Sequence, residues 1–170
     1  MPLIQRVATI VLTLGLSASL VGCGFYLKGT NPSVAPIQYS NLQITVPKNS
    51  GDLDEKLSLY LASSGVQLSS KDDSYRLNVL SYSSNLLELQ GILRENILRL
   101  TVTFRIEDAA GNALTENRTV SAIRNYQYNA ATVNTDNQEE KYLREMLIDD
   151  VAQQIARQIS SNRLDKLTNQ

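Results

Sequence analysis

The side chain with the most distinctive chemistry in this sequence is the thiol of Cys23, the only cysteine in the chain. It directly follows Leu20, Val21 and Gly22, which end an apolar run preceded by the basic Arg6. A basic residue, an apolar stretch and small residues before a cleavage point are the parts of a secretory signal. A cysteine directly after the small residue is typical of bacterial lipoprotein signals, in which the thiol is alkylated with diacylglycerol, the peptide is cut before it and the new amine is acylated. We predict that Cys23 is lipidated and begins the mature protein.

The apolar run that precedes Cys23 is too short for a permanent membrane anchor. It covers residues 7–21, whereas a spanning helix needs roughly 20 apolar residues. Several acyl chains would anchor the protein instead, because each buried CH₂ contributes about 0.8 kcal/mol and a single chain binds only marginally. Since Gly24 and not aspartate follows the cysteine, the usual sorting rule for two-membrane bacteria predicts the cell outer membrane, with the domain facing the periplasm.

Composition excludes several other classes of site. Removal of residues 1–22 leaves 148 residues with 15 basic and 17 acidic side chains, enough for one domain but without the basic surface that nucleic acid requires. The chain has no histidine, so a histidine-dependent triad and imidazole metal sites are excluded, and lipidation of the one cysteine excludes thiolate sites. No phosphate-binding loop or nucleophile elbow occurs. We expect no enzyme activity, no metal and no cofactor other than the lipid on Cys23.

Arginine is the only basic residue type between Asp72 and Glu140. Arg99 and Arg105 lie on the polar side of the most regular strand pattern, about 20 Å apart, and Arg94 lies near its start. The planar guanidinium group matches phosphate in a bidentate manner. We hypothesise that Arg94, Arg99 and Arg105 bind the phosphates of an anionic glycolipid. The alternative is that these side chains are solvated or pair with glutamates of neighbouring strands.

A second set of residues suggests a protein interface. Thr101 and Thr103 lie on the same polar strand side as Arg99, and a sheet with helices on one side leaves its other side available for docking. Tyr126 and Tyr128 add aromatic area with polar tips, which interfaces favour. The alternative for the two tyrosines is ordinary packing of a strand end on the core.

Apolar periodicity predicts the elements that would position these side chains. The clearest is a strand at 97–106, where five apolar residues alternate with four polar ones, so that one face is buried. In the last helix, apolar residues recur every four positions, which indicates a helix that covers a sheet. The predicted strands are 42–47, 75–82, 97–106 and about 115–127. The first predicted helix runs from Asp52 to Ser64, with Asp52 and Glu55 as a capping box at its start. The second runs from Asp136 to about Ser160.

The order β-α-β-β-β-α predicts an α/β fold, a two-layer sandwich with two helices on one face of a roughly four-stranded mixed sheet. The predicted organisation has four parts: a lipoprotein signal peptide at 1–22, a lipidated N-terminal tether at 23–41, the α/β sandwich domain at 42–160, and a polar C-terminal tail at 161–170.

The chain resembles the LptE family of lipopolysaccharide (LPS)-assembly lipoproteins. The resemblance rests on Cys23-Gly24-Phe25-Tyr26-Leu27-Lys28-Gly29, which is similar to the start of that family: cysteine, glycine, an aromatic residue, a variable position, leucine and a basic residue. It rests also on the element order and on a long last helix that contains the residues from Lys141 to Met146.

This resemblance implies a role without catalysis. Members of the family plug the lumen of the outer-membrane β-barrel LptD, assist its assembly, and form with it the translocon that places LPS in the outer leaflet. Basic side chains are implicated in LPS binding; where one is expected before the long strand, this chain has Gln90 and Gly91, and Arg94 is the nearest substitute. The alternative is a periplasm-facing lipoprotein that binds anionic lipid by itself or docks a different envelope complex.

Overall fold

The structure is a computed structural model that describes residues 36–70, 74–89, 94–128 and 133–164. The predicted signal peptide, Cys23 and most of the predicted tether lie outside these residues. The described elements are β1 (Asn41–Thr45), α1 (Leu53–Ser63), β2 (Gln67–Leu68), β3 (Tyr75–Leu89), β4 (Arg94–Glu107), β5 (Arg118–Tyr128) and α2 (Val133–Ser160).

The strands form one five-stranded mixed sheet in the order β2-β1-β3-β4-β5. β1 pairs in parallel with β2 and β3, whereas β3, β4 and β5 pair antiparallel. The α/β class and the mixed sheet are confirmed, but the predicted count of four strands was one too low. β2 has only two residues, both exposed, so it carries no apolar alternation from which a strand could be predicted.

The third strand is longer than predicted and contains an irregularity. β3 extends to Leu89 and not to residue 82, and its register with β4 shifts between Val79 and Ser81. This β-bulge moves the following side chains to the opposite parity. Beyond Tyr82 every residue of β3 is exposed, so the segment lacks a buried stripe and is defined by its pairing with β4.

Both helices pack on the same side of the sheet through the stripes that the sequence predicts. The buried residues of α2 pack on β4 and β5, and those of α1 pack on β1, β2 and α2. Each large aliphatic side chain that is fully buried stabilises the fold by about 1.5–3 kcal/mol. The side chains of these stripes that are at most 1% exposed are Leu53, Leu57, Leu61, Leu98, Leu100, Val102, Phe104, Ile106, Leu147, Val151, Ile155 and Ile159.

The predicted capping box of α1 does not form. Asp52 occupies the N-cap position, but it makes no side-chain cap hydrogen bond and has ψ near 17°, whereas capping requires an extended N-cap backbone. The C-terminal end is as predicted: Gly65 has φ +92°, the amide of Gly65 donates to the carbonyl of Ala62 at 3.0 Å, and that of Val66 donates to Leu61 at 3.1 Å. These two bonds make a Schellman motif.

The last helix begins earlier than predicted, at Val133, so Asp136 lies inside α2 and not at its cap. Its end at Ser160 is confirmed. Asn162, at φ 53°, follows the helix end, and its side chain accepts from the amide of Gln38 at 2.8 Å and donates to the carbonyl of Pro36 at 3.0 Å. Together with the burial of Leu164, these bonds attach residues 161–164 to the domain and to the chain that precedes β1.

Candidate functional site

The two sides of the sheet differ in what covers them. In β4 the residues from Leu98 to Ile106 alternate between buried side chains under the helices and half-buried or exposed ones on the other side. We call this second side the open face, because no helix of the described residues packs on it. Its central positions, in cross-strand register, are Ser81, Ser83, Asn85 and Leu87 of β3, Ile97, Arg99, Thr101 and Thr103 of β4, and Thr119, Ser121, Ile123 and Asn125 of β5.

Uncharged hydroxyl groups occupy the middle of the open face. Thr101 and Thr103, predicted as interface residues, each lie between hydroxyl residues of both neighbouring strands, and the Oγ1 atoms of Thr103 and Thr119 are 3.0 Å apart. The two rows are Ser83–Thr101–Ser121 and Ser81–Thr103–Thr119. Each hydroxyl both donates and accepts, so this surface can bond a partner of mixed polarity without removing a charge from water.

Arg99 lies beyond the hydroxyl rows, and the apolar Leu87 and Ile123 occupy neighbouring positions that the sequence did not indicate as part of the site. It pairs in register with Asn85 and Ile123, is exposed, and makes no ion pair that the structure describes. Leu87 is 56% exposed and Ile123 is 44% exposed. Leu87 and Ile123 lie on the same side of the sheet as Arg99. The sequence contains these residues but does not show that they are neighbours of Arg99, because that depends on the pairing register of the strands.

Arg105 forms an ion pair with Glu107, its neighbour on the same side of β4. Its Nε and Nη2 atoms donate to Oε1 of Glu107 at 2.8 and 2.7 Å, and Nδ2 of Asn78 donates to the same oxygen at 2.8 Å. Burial of Glu107 opposes its ionisation, but the hydrogen bonds from Asn78 and Arg105 and the charges of Arg105 and Arg76 outweigh burial and lower the pKa of this carboxyl group. Arg105 therefore follows the alternative noted above, pairing with a glutamate.

The three arginines do not form one row. Arg94 pairs with Tyr128 and has the parity of Asn96 and Leu98, which is the parity of the helix-covered side, opposite to Arg99. The side chain of Arg94 is outside the described part of the structure. Of the three predicted phosphate ligands, Arg99 is the one placed exposed on the open face, and phosphate binding there stays a prediction.

Tyr126 is a structural residue of the helix-covered side, contrary to its grouping with Thr101 and Thr103. It is 6% exposed; its hydroxyl accepts from Nδ2 of Asn96 at 3.0 Å and donates to Oε2 of Glu140 at 3.4 Å. Glu140 in turn accepts from Nε and Nη2 of Arg144 at 2.8 and 2.6 Å, and Nη1 of Arg144 donates to Oγ of Ser84 at 2.6 Å. This network joins β3, β4 and β5 to α2. Tyr128 has the same parity as Tyr126, but its side chain is not described.

The adjacent carboxylates of Asp149 and Asp150 point to different partners. Asp149 accepts from the hydroxyl of Tyr60 at 2.7 Å and pairs with Nζ of Lys56 at 3.2 Å. The hydrogen bond from Tyr60, opposed by burial and assisted by Lys56 and Gln153, lowers the pKa of Asp149. Asp150 pairs with Arg124 of β5. The two carboxylates thus join α2 to α1 and to the sheet, and they do not form a paired acid–base site.

Arg118 and Arg124 share a side of β5 with the buried Val120 and Ala122. Arg124 reaches α2 through Asp150, and Arg118 donates to the carbonyl of Arg163 at 3.3 Å. Both arginines extend from the covered side to the last helix and the segment after it.

Within residues 36–70, 74–89, 94–128 and 133–164, no group of acidic, cysteine or histidine residues has the arrangement of a metal site. No helix in the same residues combines the length and apolar character needed to cross a bilayer. A surface cleft of about 340 Å³ lies beside β1 and α1, and its lining contains a single carboxylate, Asp54.

Comparison with known families gives a match to a model described as LptE, Lipopolysaccharide-assembly, over residues 35–159. Among solved structures, the chain is similar to a minor lipoprotein from Acinetobacter baumannii, with 52% sequence identity, a TM-score of 0.75, and coverage of 79% of this chain and 100% of the other. The comparison with curated proteins found no match.

Two further solved structures share the fold at low identity. An uncharacterized lipoprotein B from Nitrosomonas europaea is 22% identical with a TM-score of 0.65, covering 82% of this chain and 92% of the other. The rare lipoprotein B from Shewanella oneidensis is 17% identical with a TM-score of 0.52, covering 72% of this chain and 92% of the other. At these identities the likeness concerns the fold alone.

Proposed function

The chain belongs to the LptE family of lipopolysaccharide-assembly proteins, and from this premise we propose that it is an outer-membrane lipoprotein, anchored through Cys23 and facing the periplasm. In this function it binds and plugs the LPS-export barrel LptD. It thereby aids the assembly of the barrel and the insertion of lipopolysaccharide into the outer leaflet. No catalytic step is involved.

The open face is the observation that carries the plug function. The interior of a large outer-membrane barrel is polar, and a plug must meet it without burying unpaired charges, which is costly. The two rows of hydroxyls around Thr101 and Thr103 offer donors and acceptors at every position across three strands. Arg105 and Glu107, charges at one end of this face, already satisfy each other. Arg99, at the other end, is exposed and would need an anionic or hydrogen-bonding group of the partner.

Lipidation of Cys23 would assist the encounter with the barrel. An anchor in the same membrane confines the search for the partner to a plane, so that the second contact behaves as an effectively intramolecular event. A Cys23→Ala variant would therefore associate with the barrel less completely at equal expression, even though Cys23 lies outside the described domain.

The test is affinity purification of the full chain from detergent-solubilised outer membranes, followed by mass spectrometry. We expect a stoichiometric large barrel that remains bound at high salt. Recovery of the lipoprotein alone, or with a different envelope complex, contradicts the proposal.

A pair of matched variants tests which side of the domain meets the barrel. Thr101→Lys places a long charged side chain at the centre of the open face, whereas Leu59→Lys places the same side chain on α1, where Leu59 is 58% exposed. We expect Thr101→Lys to lower barrel recovery at least fivefold and Leu59→Lys to leave it unchanged. Equal recovery for both variants would exclude the open face as the contact surface.

A second candidate function is supported by Arg99. An exposed guanidinium group beside Leu87 and Ile123 has the chemistry to bind an anionic amphiphile, with phosphate on the charge and acyl chain on the apolar side chains. In this function the protein binds anionic lipid by itself. Binding of LPS by the purified domain in the absence of any barrel, with an affinity that falls as salt rises, would favour it.

A further inference from the structure

Half of β3 has an unpaired edge. β1 pairs with β3 only from Leu42↔Tyr75 to Thr45↔Asn78, and β1 ends before Pro47. β3 continues to Leu89 with β4 as its neighbour on one side. Within the described residues no strand lies on the other side of the segment 81–89, which we call the free edge.

The opposite edge of the sheet shows which backbone groups point outward. On β5 the carbonyl of Ser121 accepts from Nε2 of Gln154 at 3.5 Å, and the carbonyl of Ile123 accepts from Nη1 of Arg124 at 3.0 Å. These bonds show that the odd-numbered residues of β5 direct their backbone groups away from β4. The even-numbered residues of β5 therefore form the hydrogen bonds to β4.

The alternation of antiparallel ladders carries this assignment across the sheet. Leu98 and Leu100 bond to β5, so Arg99 and Thr101 bond to β3, where their register partners are Asn85 and Ser83. The odd-numbered residues of the free edge therefore bond to β4, and its even-numbered residues have no strand to bond to within the described residues. The backbone N–H and C=O groups of Ser84, Leu86 and Glu88 point away from the sheet, at a spacing of about 6.8 Å.

Three exposed leucines lie beside these groups, and they are distributed over both sides of the sheet. Leu86, on the helix-covered parity, is 37% exposed, and Leu87 and Leu89, on the open face, are 56% and 43% exposed. Protein edges are commonly protected by lysine, proline or a covering element. The free edge contains no lysine or proline, and Glu88 is its one charged residue. The edge of β5 is better protected, because side chains already bond the outward carbonyls of Ser121 and Ile123.

We propose that the free edge binds an extended polypeptide segment of the barrel partner by strand addition, with apolar side chains of that segment packing on Leu86 and Leu87. An extended backbone is the ligand that presents donors and acceptors at the spacing of this edge, whereas a lipid headgroup or a sugar does not. The proposal rests on the proposed function for the identity of the partner. It adds the part of this chain that forms the contact and the conformation of the segment bound there.

The test uses the complex purified from outer membranes and the substitution Glu88→Pro. Proline removes an outward N–H and is tolerated on an edge where that group does not take part in the ladder. Two variants control for other effects. Glu88→Ala removes the charge and keeps the N–H. Leu68→Pro makes the same backbone change on β2, where the amides of Gln67 and Ser69 bond to Ser40 and Leu42 and the amide of Leu68 points away from β1. Circular dichroism confirms that each variant is folded.

We expect Glu88→Pro to lower barrel recovery at least fivefold, with both controls at the level of the unaltered chain. We also expect hydrogen exchange at the amides of Ser84 and Leu86 to slow at least tenfold in the complex. Equal recovery for all variants without this protection overturns the inference and leaves the proposed function intact. Protection that arises from a second copy of this chain also overturns it. A chain that recovers no barrel even unaltered contradicts the proposed function instead.

Discussion

Arg105 and Glu107 lie two residues apart on the same side of β4. The guanidinium group of Arg105 donates two hydrogen bonds, of 2.8 and 2.7 Å, to one carboxylate oxygen of Glu107. Glu107 is only 3% exposed although it lies on the uncovered side of the sheet. The side chains of Arg76, Asn78 and Arg105 cover it. This end of the open face is therefore a closed polar cluster, and the opposite end, at Arg99, is available to a ligand.

Substitution of Glu107 by Gln should destabilise the domain by about 1–3 kcal/mol, because it removes charge-assisted hydrogen bonds from a buried group. The pKa of Glu107 is lowered in the folded state, so its contribution is complete above the unfolded-state pKa of about 4.3 and is lost as pH falls through the folded-state value. Chemical denaturation at neutral and acidic pH measures this. A stability difference that stays constant down to pH 3 would contradict the assignment.

Substitution of Arg99 by Gln should weaken binding of anionic lipid about 5- to 10-fold, the effect of losing one charge-assisted hydrogen-bonding group. The matched control is Lys141→Gln, which removes an equal exposed charge from α2, on the other side of the sheet. Titration of the purified domain with LPS at low and moderate salt provides the measurement. Equal loss in the two variants would show that net charge, and not the position of Arg99, determines binding.

Substitution of Tyr126 by Phe should lower stability by about 1–3 kcal/mol and leave barrel recovery unchanged. The change leaves Nδ2 of Asn96, a residue that is 6% exposed, without the hydroxyl that it contacts at 3.0 Å, and an unsatisfied buried donor is costly. Thermal denaturation and affinity purification test the two parts separately. A normal melting temperature together with lost barrel recovery would return Tyr126 to the interface.

Substitution of Tyr60 by Phe should weaken the contact between α1 and α2 by about 1 kcal/mol, because Tyr60 donates to Asp149 at 2.7 Å and accepts from Nε2 of Gln153 at 3.1 Å. Tyr142→Phe is the matched control, since Tyr142 is 61% exposed. The hydrogen bond from Tyr60 is the main cause of the lowered pKa of Asp149. NMR titration should therefore show a higher pKa for Asp149 in Tyr60→Phe. An unchanged pKa would contradict the hydrogen bond from Tyr60 to Asp149.

Those parts of the fold that have a buried stripe were predictable. Burial on one side imposes the alternation in β4 and the four-residue repeat in α2. The apolar residues of β4 from Leu98 to Ile106 and those of α2 from Leu147 to Ile159 that form these patterns are at most 1% exposed. β2 and the exposed half of β3 have no such stripe. Strand pairing alone defines them, and a local pattern does not contain the partner.

The same distinction applies to the candidate site. The sequence by itself determined the lipidation prediction at Cys23, the α/β class and the polar side of β4, because each depends on residue types at short spacing along one segment. Tertiary structure decided that Arg105 is held by Glu107, that Tyr126 is buried under α2, and that Arg99 lies beside Ile123. These outcomes depend on a register set between strands and on a bulge after Val79 that inverts parity, and such relationships arise only when distant segments pack together.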